Sequence, residues 1–149
     1  MNSCLDSGLK AEQLSVFLEN RAGRLSDVIH LLAGAGVNIR ALSLADTSDF
    51  GILRMMVSDI SLAERILKAN GLTTGHTDVV AVELPDVPGS LDSLLQLLSG
   101  KGINVEYMYA STRLSLEKAV MIFRFDKIDA AIETLRENGF RLLQKSMLV

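Results

Sequence analysis

The sequence predicts an α+β protein in which one βαββαβ element order occurs twice. Three observations lead to this prediction: a repeat within the 149 residues, an alternation of apolar residues typical of strands, and apolar residues at helical spacing between the strands. A hydrophobic fraction of 48% can build the core of one ordinary domain or of two small ones, and length alone does not choose between them.

Two motifs recur along the chain. For both motifs, the second occurrence follows the first at the distance in sequence that separates Gly23 from Gly89. The recurring pairs are Asn20-Arg21-Ala22-Gly23-Arg24-Leu25 with Asp86-Val87-Pro88-Gly89-Ser90-Leu91, and Gly36-Val37-Asn38-Ile39 with Gly102-Ile103-Asn104-Val105. Duplication of one unit explains this doubled pattern. Met55 aligns with Met121 at the same spacing, whereas Asn70-Gly71 aligns with Asn138-Gly139 only when the second copy is shifted by two further positions. We therefore expect two residues to have been gained late in the second copy.

Both copies begin with the pattern of a strand followed by an amphipathic helix. Apolar side chains alternate along residues 13–18 and 80–84, which is typical of a half-buried strand. Apolar residues then follow the i, i+3, i+4, i+7 spacing of one helical face, at Leu25, Val28, Ile29 and Leu32 and at Leu91, Leu94, Leu95 and Leu98. We expect Gly34 or Gly36 to end the first helix, and Gly100 or Gly102 to end the second.

The remaining elements follow one order in both copies. The sequence predicts strands at 38–45 and 50–57, a helix at 61–70 and a strand from 72 onward, with counterparts at 103–110, 120–125, 127–138 and 140–149. The turns between the paired strands span 46–49 and 111–115. These elements divide the chain into an N-terminal extension at 1–12, a first domain at 13–77 and a second domain at 78–149.

The junction between the copies is short. The few residues between Asn70 and Asp86 must supply both the last strand of the first copy and the first strand of the second. Either the last strand of the first copy ends near Gly75-His76, or the C-terminal strand of the chain completes the sheet of the other copy.

Composition excludes several classes of function. A net charge of −3 and an aromatic content of 5% without tryptophan argue against a nucleic-acid partner or an anionic membrane surface. No stretch of apolar residues is long enough to span a bilayer, and the N-terminal segment 1–13 lacks the features of a signal peptide. A single cysteine, Cys4, forms no intramolecular disulfide, so we expect a reducing, cytoplasmic location.

The chemistry-bearing residues do not form a catalytic or metal-binding pattern. Cys4, His30 and His76 are scattered along the chain, so we expect no metal, no cofactor and no nucleophilic triad. Gly34-Ala35-Gly36 closes a predicted helix, whereas a dinucleotide-binding fingerprint opens one, so this sequence is interpreted as a helix cap. The sequence therefore predicts a binding protein and not an enzyme.

The loop before the first helix of each copy is the candidate binding site. A helix N-terminus offers unpaired backbone N–H groups and a partial positive charge, which suit a carboxylate. Gly23 and Gly89 permit close approach of a ligand to that backbone, or they simply make a tight turn. Amide side chains at Asn20 and Asn38 are matched to both ends of a zwitterion, although asparagine is also a common turn residue.

The loop motif of residues 18–25, followed after one helix by Gly36-Val37-Asn38-Ile39, resembles the ACT domain, and the second copy resembles it too. The resemblance extends over residues 13–149 and is to stand-alone tandem ACT proteins. It implies two ferredoxin-like βαββαβ domains packed side by side, with antiparallel sheets and helices on one face. It also implies that a free amino acid binds between ACT domains, and that the protein is a homodimer or regulates a partner enzyme.

The resemblance assigns the site to particular positions of this chain. The implied ligand-binding residues are Asn20, Arg21, Ala22, Gly23, Arg24, Leu25 and Asn38 in the first copy, and Asp86, Val87, Pro88, Gly89, Ser90, Leu91 and Asn104 in the second. Copy two departs from the family pattern because Asp86 replaces the loop asparagine, and its carboxylate would repel a ligand carboxylate. Copy one departs at Ala22, where the family usually has proline. The two sites are therefore expected to differ.

Two alternatives keep the same architecture. In the first, the protein binds no ligand and serves only dimerisation or docking onto an enzyme. In the second, it is a small hydrolase similar to acylphosphatase, in which Arg21 or Arg24 holds phosphate and an asparagine positions water. The asparagines fall on the second strand, however, where that family does not place its signature.

Overall fold

The computed structural model describes residues 8–112 and 117–148, and this part of the chain contains seven strands, four α-helices and one short 3-10 helix. The elements are β1 Ala11–Glu19, α1 Arg24–Gly34, β2 Ile39–Asp46, β3 Phe50–Val57, α2 Ile60–Ala69, β4 Thr73–Pro85, α3 Ser90–Gly100, β5 Val105–Ala110, β6 Lys118–Phe125, α4 Ile128–Glu137, β7 Arg141–Leu142 and the 3-10 helix Lys145–Met147. Cys4 and most of the predicted turn at 111–115 lie outside the described residues.

The chain divides into two compact units, Glu12–Thr77 and Asp78–Leu148, and residues 8–11 group with the second unit. The first unit is called the first repeat below, and the second unit the second repeat. Each repeat contains an antiparallel sheet with two helices packed on one face. The prediction of two ferredoxin-like βαββαβ domains is confirmed.

In the first repeat, β3 lies between β1 and β2, and both of these pairings are antiparallel. Leu14, Val16 and Leu18 alternate along β1 and are buried, as the predicted strand requires. They pack with Val28 and Leu32 of α1 and with apolar residues of α2. The two amphipathic helices therefore pack on one face of this sheet and do not cover the other face.

In the second repeat, β6 lies between β4 and β5, and β7 pairs with β4. Val80, Val82 and Leu84 are buried at positions equivalent to those of β1. The Phe123 and Phe125 rings stack with their centroids 5.4 Å apart within this core. Residues before β1 contribute as well: Leu9 joins the same core, and the Gly8 carbonyl oxygen accepts a hydrogen bond from the Lys145 N–H at 2.8 Å.

The stretch between the two copies is a single strand. β4 runs without a break from Thr73 to Pro85, so the last strand of the first repeat continues directly into the first strand of the second. The C-terminal strand is only Arg141–Leu142, and it pairs with Val82 and Glu83 of its own repeat. The expectation of a full strand over 140–149 is wrong, because the chain turns into a 3-10 helix at Lys145.

The strand register corrects the position of the insertion in the second copy. Leu14 pairs with Met55 in the first repeat, and its counterpart Val80 pairs with Phe123 in the second. Met55 is therefore equivalent to Phe123, and its match with Met121 was coincidental. The two extra residues lie in the β5–β6 hairpin, because β5 keeps the spacing of the recurring motifs while β6 is shifted two positions further. A hairpin loop accepts added residues without disturbing the core.

The helices end where the glycine pattern indicates. Gly36 and Gly102 adopt positive φ values of 75° and 68° just after α1 and α3, whereas Gly34 and Gly100 are the last helical residues. This left-handed conformation favours glycine and lets the following N–H groups reach back to the helix. Val37 and Ile103 N–H accordingly donate to the Leu32 and Leu98 carbonyl oxygens at 3.0 Å.

Candidate functional site

Both candidate loops start a helix through a left-handed glycine. Gly23 and Gly89 have the same φ of 91° and occupy the N-cap positions of α1 and α3. Neither helix has a side-chain hydrogen bond at its N-cap among the described residues. The N–H groups of a first helical turn have no partner within the helix, so both loops present backbone donors and the positive end of a helix dipole.

The tip of the neighbouring hairpin supports each loop in the same way. Asn20 N–H donates to the Asp49 carbonyl oxygen at 2.9 Å, and Asp86 N–H donates to the Glu117 carbonyl oxygen at the same distance. In the first repeat the Asn20 amide also donates to the Thr47 carbonyl oxygen at 3.4 Å. The side chain of Asn20 therefore holds the loop against the hairpin. Asn20 thus has a structural role in addition to the ligand-binding role expected from the sequence.

The two loops carry opposite charges. Arg21 Nε lies 2.8 Å from a Glu19 carboxylate oxygen, and an Arg24 terminal nitrogen lies 3.3 Å from a carboxylate oxygen of Asp27. Arg24 Nε is buried and has no hydrogen-bond partner among the described residues. The loop of the second repeat contains Asp86 and no cationic residue over 86–91. Of the two loops, the first is therefore better suited to donate hydrogen bonds to a carboxylate.

Asn38 and Asn104 lie at matching positions, immediately before the second strand of each repeat. Asn38 N–H donates to the Ser58 hydroxyl oxygen, and Asn104 N–H donates to Asp126 Oδ1, each at 2.9 Å. The carbonyl oxygens of both asparagines accept from the N–H groups of these same partners. The backbone on both sides of each asparagine is therefore fixed, while both side chains are exposed to solvent.

Within one repeat, the structure does not bring the loop and the second-strand asparagine together. Gly23 precedes α1 and Asn38 follows it, and the helix contains 11 residues. At a rise of about 1.5 Å per residue, this separates the two ends by about 16 Å. The same holds for Gly89 and Asn104 on either side of α3. One small amino acid cannot bridge Asn20 and Asn38 of the same repeat.

Sequence reasoning missed a depression in the second repeat. It has a volume of about 420 Å³, is open to solvent and is lined by Leu95, Leu98, Ser99, Gly102, Ile103, Asn104 and Val105. Lys127 Nζ donates to the Gly102 carbonyl oxygen at 3.2 Å, so a cation and the Asp126 carboxylate both contact its lining. Correct alignment of β6 with β3 would have placed Asp126 and Lys127 beside this strand start.

Comparison with known protein families identifies the family to which this chain belongs. A family model described as an ACT domain pair matches residues 9–149. The chain belongs to the ACT domain family. Both repeats of this ACT pair fall inside the matched region, and so do the recurring loop and strand motifs that carry the resemblance in the sequence.

Solved structures extend the comparison. A crystal structure of a Bacteroides thetaiotaomicron protein is 42% identical to the ACT pair, with 94% of this chain and 96% of that chain covered and a TM-score of 0.89. The ligand-free regulatory subunit of aspartate kinase from Thermus thermophilus is 16% identical, with coverages of 88% and 94% and a TM-score of 0.63. Identity that low shows the shared fold alone. No curated protein sequence matches the chain.

Two absences hold for the described residues only. No three histidine, cysteine, aspartate or glutamate side chains lie together in a position to hold a metal ion over 8–112 and 117–148. None of the helices in this part of the chain is long and apolar enough to cross a membrane.

Proposed function

We propose that the ACT pair binds a free amino acid and thereby regulates a partner enzyme or its own association in the cytoplasm. ACT domains are regulatory and not catalytic, which argues against the hydrolase alternative. The observation that carries the proposal is the first loop, where an uncapped helix start lies beside Arg21 and Arg24. Such a loop suits the carboxylate that all amino acids share.

The proposed site combines two ACT domains, with the boundaries 13–77 and 78–149 and an extension at 1–12. The ligand carboxylate binds N–H groups within the loop 21–25, where Arg21 N–H and Arg24 N–H already donate to the Glu19 and Arg21 carbonyl oxygens. Its ammonium meets Asn38, Asn104 or Asp86 of another ACT domain. That domain is the other repeat or a repeat of a second copy of the chain. The length of α1, about 16 Å, supports this division, because no single repeat offers both groups within reach of one small ligand.

The buried nitrogen of Arg24 supports the same assignment. A buried N–H without an acceptor costs free energy, and a ligand carboxylate would supply the acceptor. Binding would order the loop, and the ligand would shift the equilibrium between states only through its different affinity for them. The regulatory signal is therefore proposed to be a change in how the ACT pair associates.

Isothermal titration of the full chain with each of the twenty amino acids tests the proposal. We expect heat of binding from at least one, and a loss of about tenfold in affinity for Arg24→Gln, as for a charge-assisted hydrogen bond. Arg65→Gln is the matched control, since Arg65 is an exposed arginine of α2 and takes no part in the loop. No heat and no thermal shift with any amino acid would refute the proposal.

A second candidate function, a ligand-free interaction module, is favoured by one surface of the first repeat. Phe17 pairs with Ile52 across β1 and β3, and Phe50 lies two residues from Ile52 on the same sheet face. Phe17 is 46% exposed and Phe50 is 59% exposed. We call these three residues the apolar patch. Exposed aromatic residues in one patch are typical of an interface with another protein or with a second copy.

The two candidates predict different results. Unchanged affinity for a partner enzyme or a second copy after Gly23→Val and Gly89→Val, together with silent titrations, would favour the interaction module. Both glycines have the same φ, so the two substitutions impose the same backbone strain and differ only in the loop that they change. A ligand-dependent change in association that only Gly23→Val abolishes would favour amino-acid sensing.

A further inference from the structure

We infer that residues 8–10 form a releasable strap, which closes the core of the second repeat when it is seated and opens that core locally when it detaches. The strap precedes β1 in the chain, yet it groups with the second repeat and not with the first. Release of the strap is independent of the proposed function, since it concerns the packing of the second repeat and requires no ligand.

Leu9 is the apolar anchor of the strap. It is 5% exposed and belongs to the core of the second repeat, whose other buried members lie within residues 80–135. Those members come from β4, α3, β6 and α4, and from Ile103 before β5. Leu9 therefore completes this core from a distant part of the sequence, and its departure would leave an apolar gap among side chains that pack against it when the strap is seated.

Polar contacts hold the strap on both sides of Leu9. The Gly8 carbonyl oxygen accepts a hydrogen bond from the Lys145 N–H at 2.8 Å, and Lys10 Nζ lies 2.6 Å from Asp129 Oδ1. The Asp129 side chain is 78% exposed, so water and salt screen this ion pair and its contribution is small. The strap is therefore attached to the start of α4 on one side of Leu9 and to the C-terminal 3-10 helix on the other.

The free energies that seat and release the strap are of similar size. Residues 8–10 lie outside the strands and helices, and β1 begins at Ala11. Ordering each residue of such a segment costs conformational entropy. A buried leucine, a backbone hydrogen bond and a screened ion pair give a stabilisation comparable to this cost. The strap therefore detaches by local unfolding while the rest of the second repeat stays folded.

Hydrogen exchange of the full chain, measured by NMR, tests the strap through the backbone amide of Lys145. This N–H donates to the Gly8 carbonyl oxygen, so release of the strap exposes it to water. Leu135 supplies the reference amide, because it lies inside α4 and is fully buried. After correction for intrinsic rates, Lys145 should exchange at least about tenfold faster than Leu135. Its exchange should also depend little on low concentrations of urea, since local opening exposes little surface.

Two matched leucine substitutions distinguish a strap from a fixed part of the core. Leu9→Ala weakens the seat and should speed exchange at Lys145 by about tenfold, with a much smaller change at Leu135. Leu98→Ala is the control, since Leu98 is buried in the same core and lies in α3. It should show the opposite pattern, with a large increase at Leu135 through global unfolding and little change at Lys145.

A third variant, Leu9→Asp, places a carboxylate that the apolar seat does not accommodate. Lys145 should then exchange at close to its intrinsic rate while Leu135 stays protected. Equal protection of the two amides in the parent protein would overturn the inference, because the strap would open only with the whole protein. An equal effect of Leu9→Ala on both amides, or loss of the folded circular dichroism spectrum in Leu9→Asp, would overturn it as well, since Leu9 would then be a fixed part of the core.

Discussion

Replacement of Gly23 by alanine isolates the cost of the left-handed helix start. A Cβ added at Gly23 has no atom within 4 Å, so the substitution creates no clash, and the φ of +91° is the only source of strain. Holding an L-residue in a left-handed conformation costs about 1–2 kcal/mol. Alanine also lowers the conformational entropy of the unfolded chain relative to glycine, which offsets this cost by about 0.4–1 kcal/mol. We therefore expect Gly23→Ala to destabilise the protein by about 1 kcal/mol.

Gly34→Ala is the matched control for this prediction. Gly34 lies in the last turn of the same helix, also has no atom within 4 Å of an added Cβ, and does not adopt a positive φ. This substitution should stabilise the protein by about 0.4–1 kcal/mol. Gly89→Ala, at the same φ as Gly23, should reproduce the loss in the second repeat.

Urea unfolding followed by circular dichroism measures these differences. The slope of the free energy of unfolding against urea should remain unchanged, so that the midpoint alone reports stability. In thermal unfolding, a loss of about 1 kcal/mol corresponds to roughly 2–4 °C for a chain of this length. If Gly23→Ala is as stable as the parent protein, or if Gly34→Ala loses as much, the backbone-strain argument is wrong.

Three further predictions concern other parts of the molecule. Lys118 donates a hydrogen bond to Glu83 and, with Arg141, holds the pKa of that carboxyl below its ordinary value of 4.5. The depressed pKa stabilises the folded state above about pH 4.5, and this contribution is lost as the pH falls through the folded-state pKa. Glu83→Gln should therefore destabilise the protein at pH 7 and much less at pH 3 in urea unfolding, and an equal loss at both would contradict it. Phe123→Ala should cost about 3–5 kcal/mol of unfolding free energy, since its ring is fully buried, whereas a loss below about 1 kcal/mol would show that the core collapses around the gap. Phe17→Ser in the apolar patch should reduce any self-association seen by light scattering and leave stability nearly unchanged. Unchanged self-association would show that this face is not an interface.

Local sequence patterns were sufficient for the elements that depend on neighbouring residues. The alternation of Leu14, Val16 and Leu18 predicts β1, and of the two glycines expected to end each helix, Gly36 and Gly102 adopt the left-handed cap conformation. Asn70 and Asn138 end α2 and α4 as expected, each followed by a glycine of positive φ. These features follow from steric limits on one or two residues, so a sequence can specify them directly.

Positions that depend on distant pairing could not be read in this way. A slip of two residues along a strand leaves every side chain on its original face, so Met121 fitted the repeat as well as Phe123 did. Only the hydrogen-bonded partners of β6 place the insertion in the hairpin. The corrected register aligns Asp126 and Lys127 with Ser58 and Asp59 of the first repeat. It therefore places them next to Asn104 and Gly102, to which they are hydrogen-bonded.

The sequence by itself determined the duplicated βαββαβ order, the glycine-opened loops and the difference in charge between Asn20 and Asp86. The tertiary structure alone decided that β4 is one continuous strand and that α1 separates Asn20 from Asn38. It also decided that a cation and an anion meet at the second repeat's strand start. The physical reason is that conformation at one residue is a local property, whereas distances between side chains far apart in sequence depend on how whole elements pack.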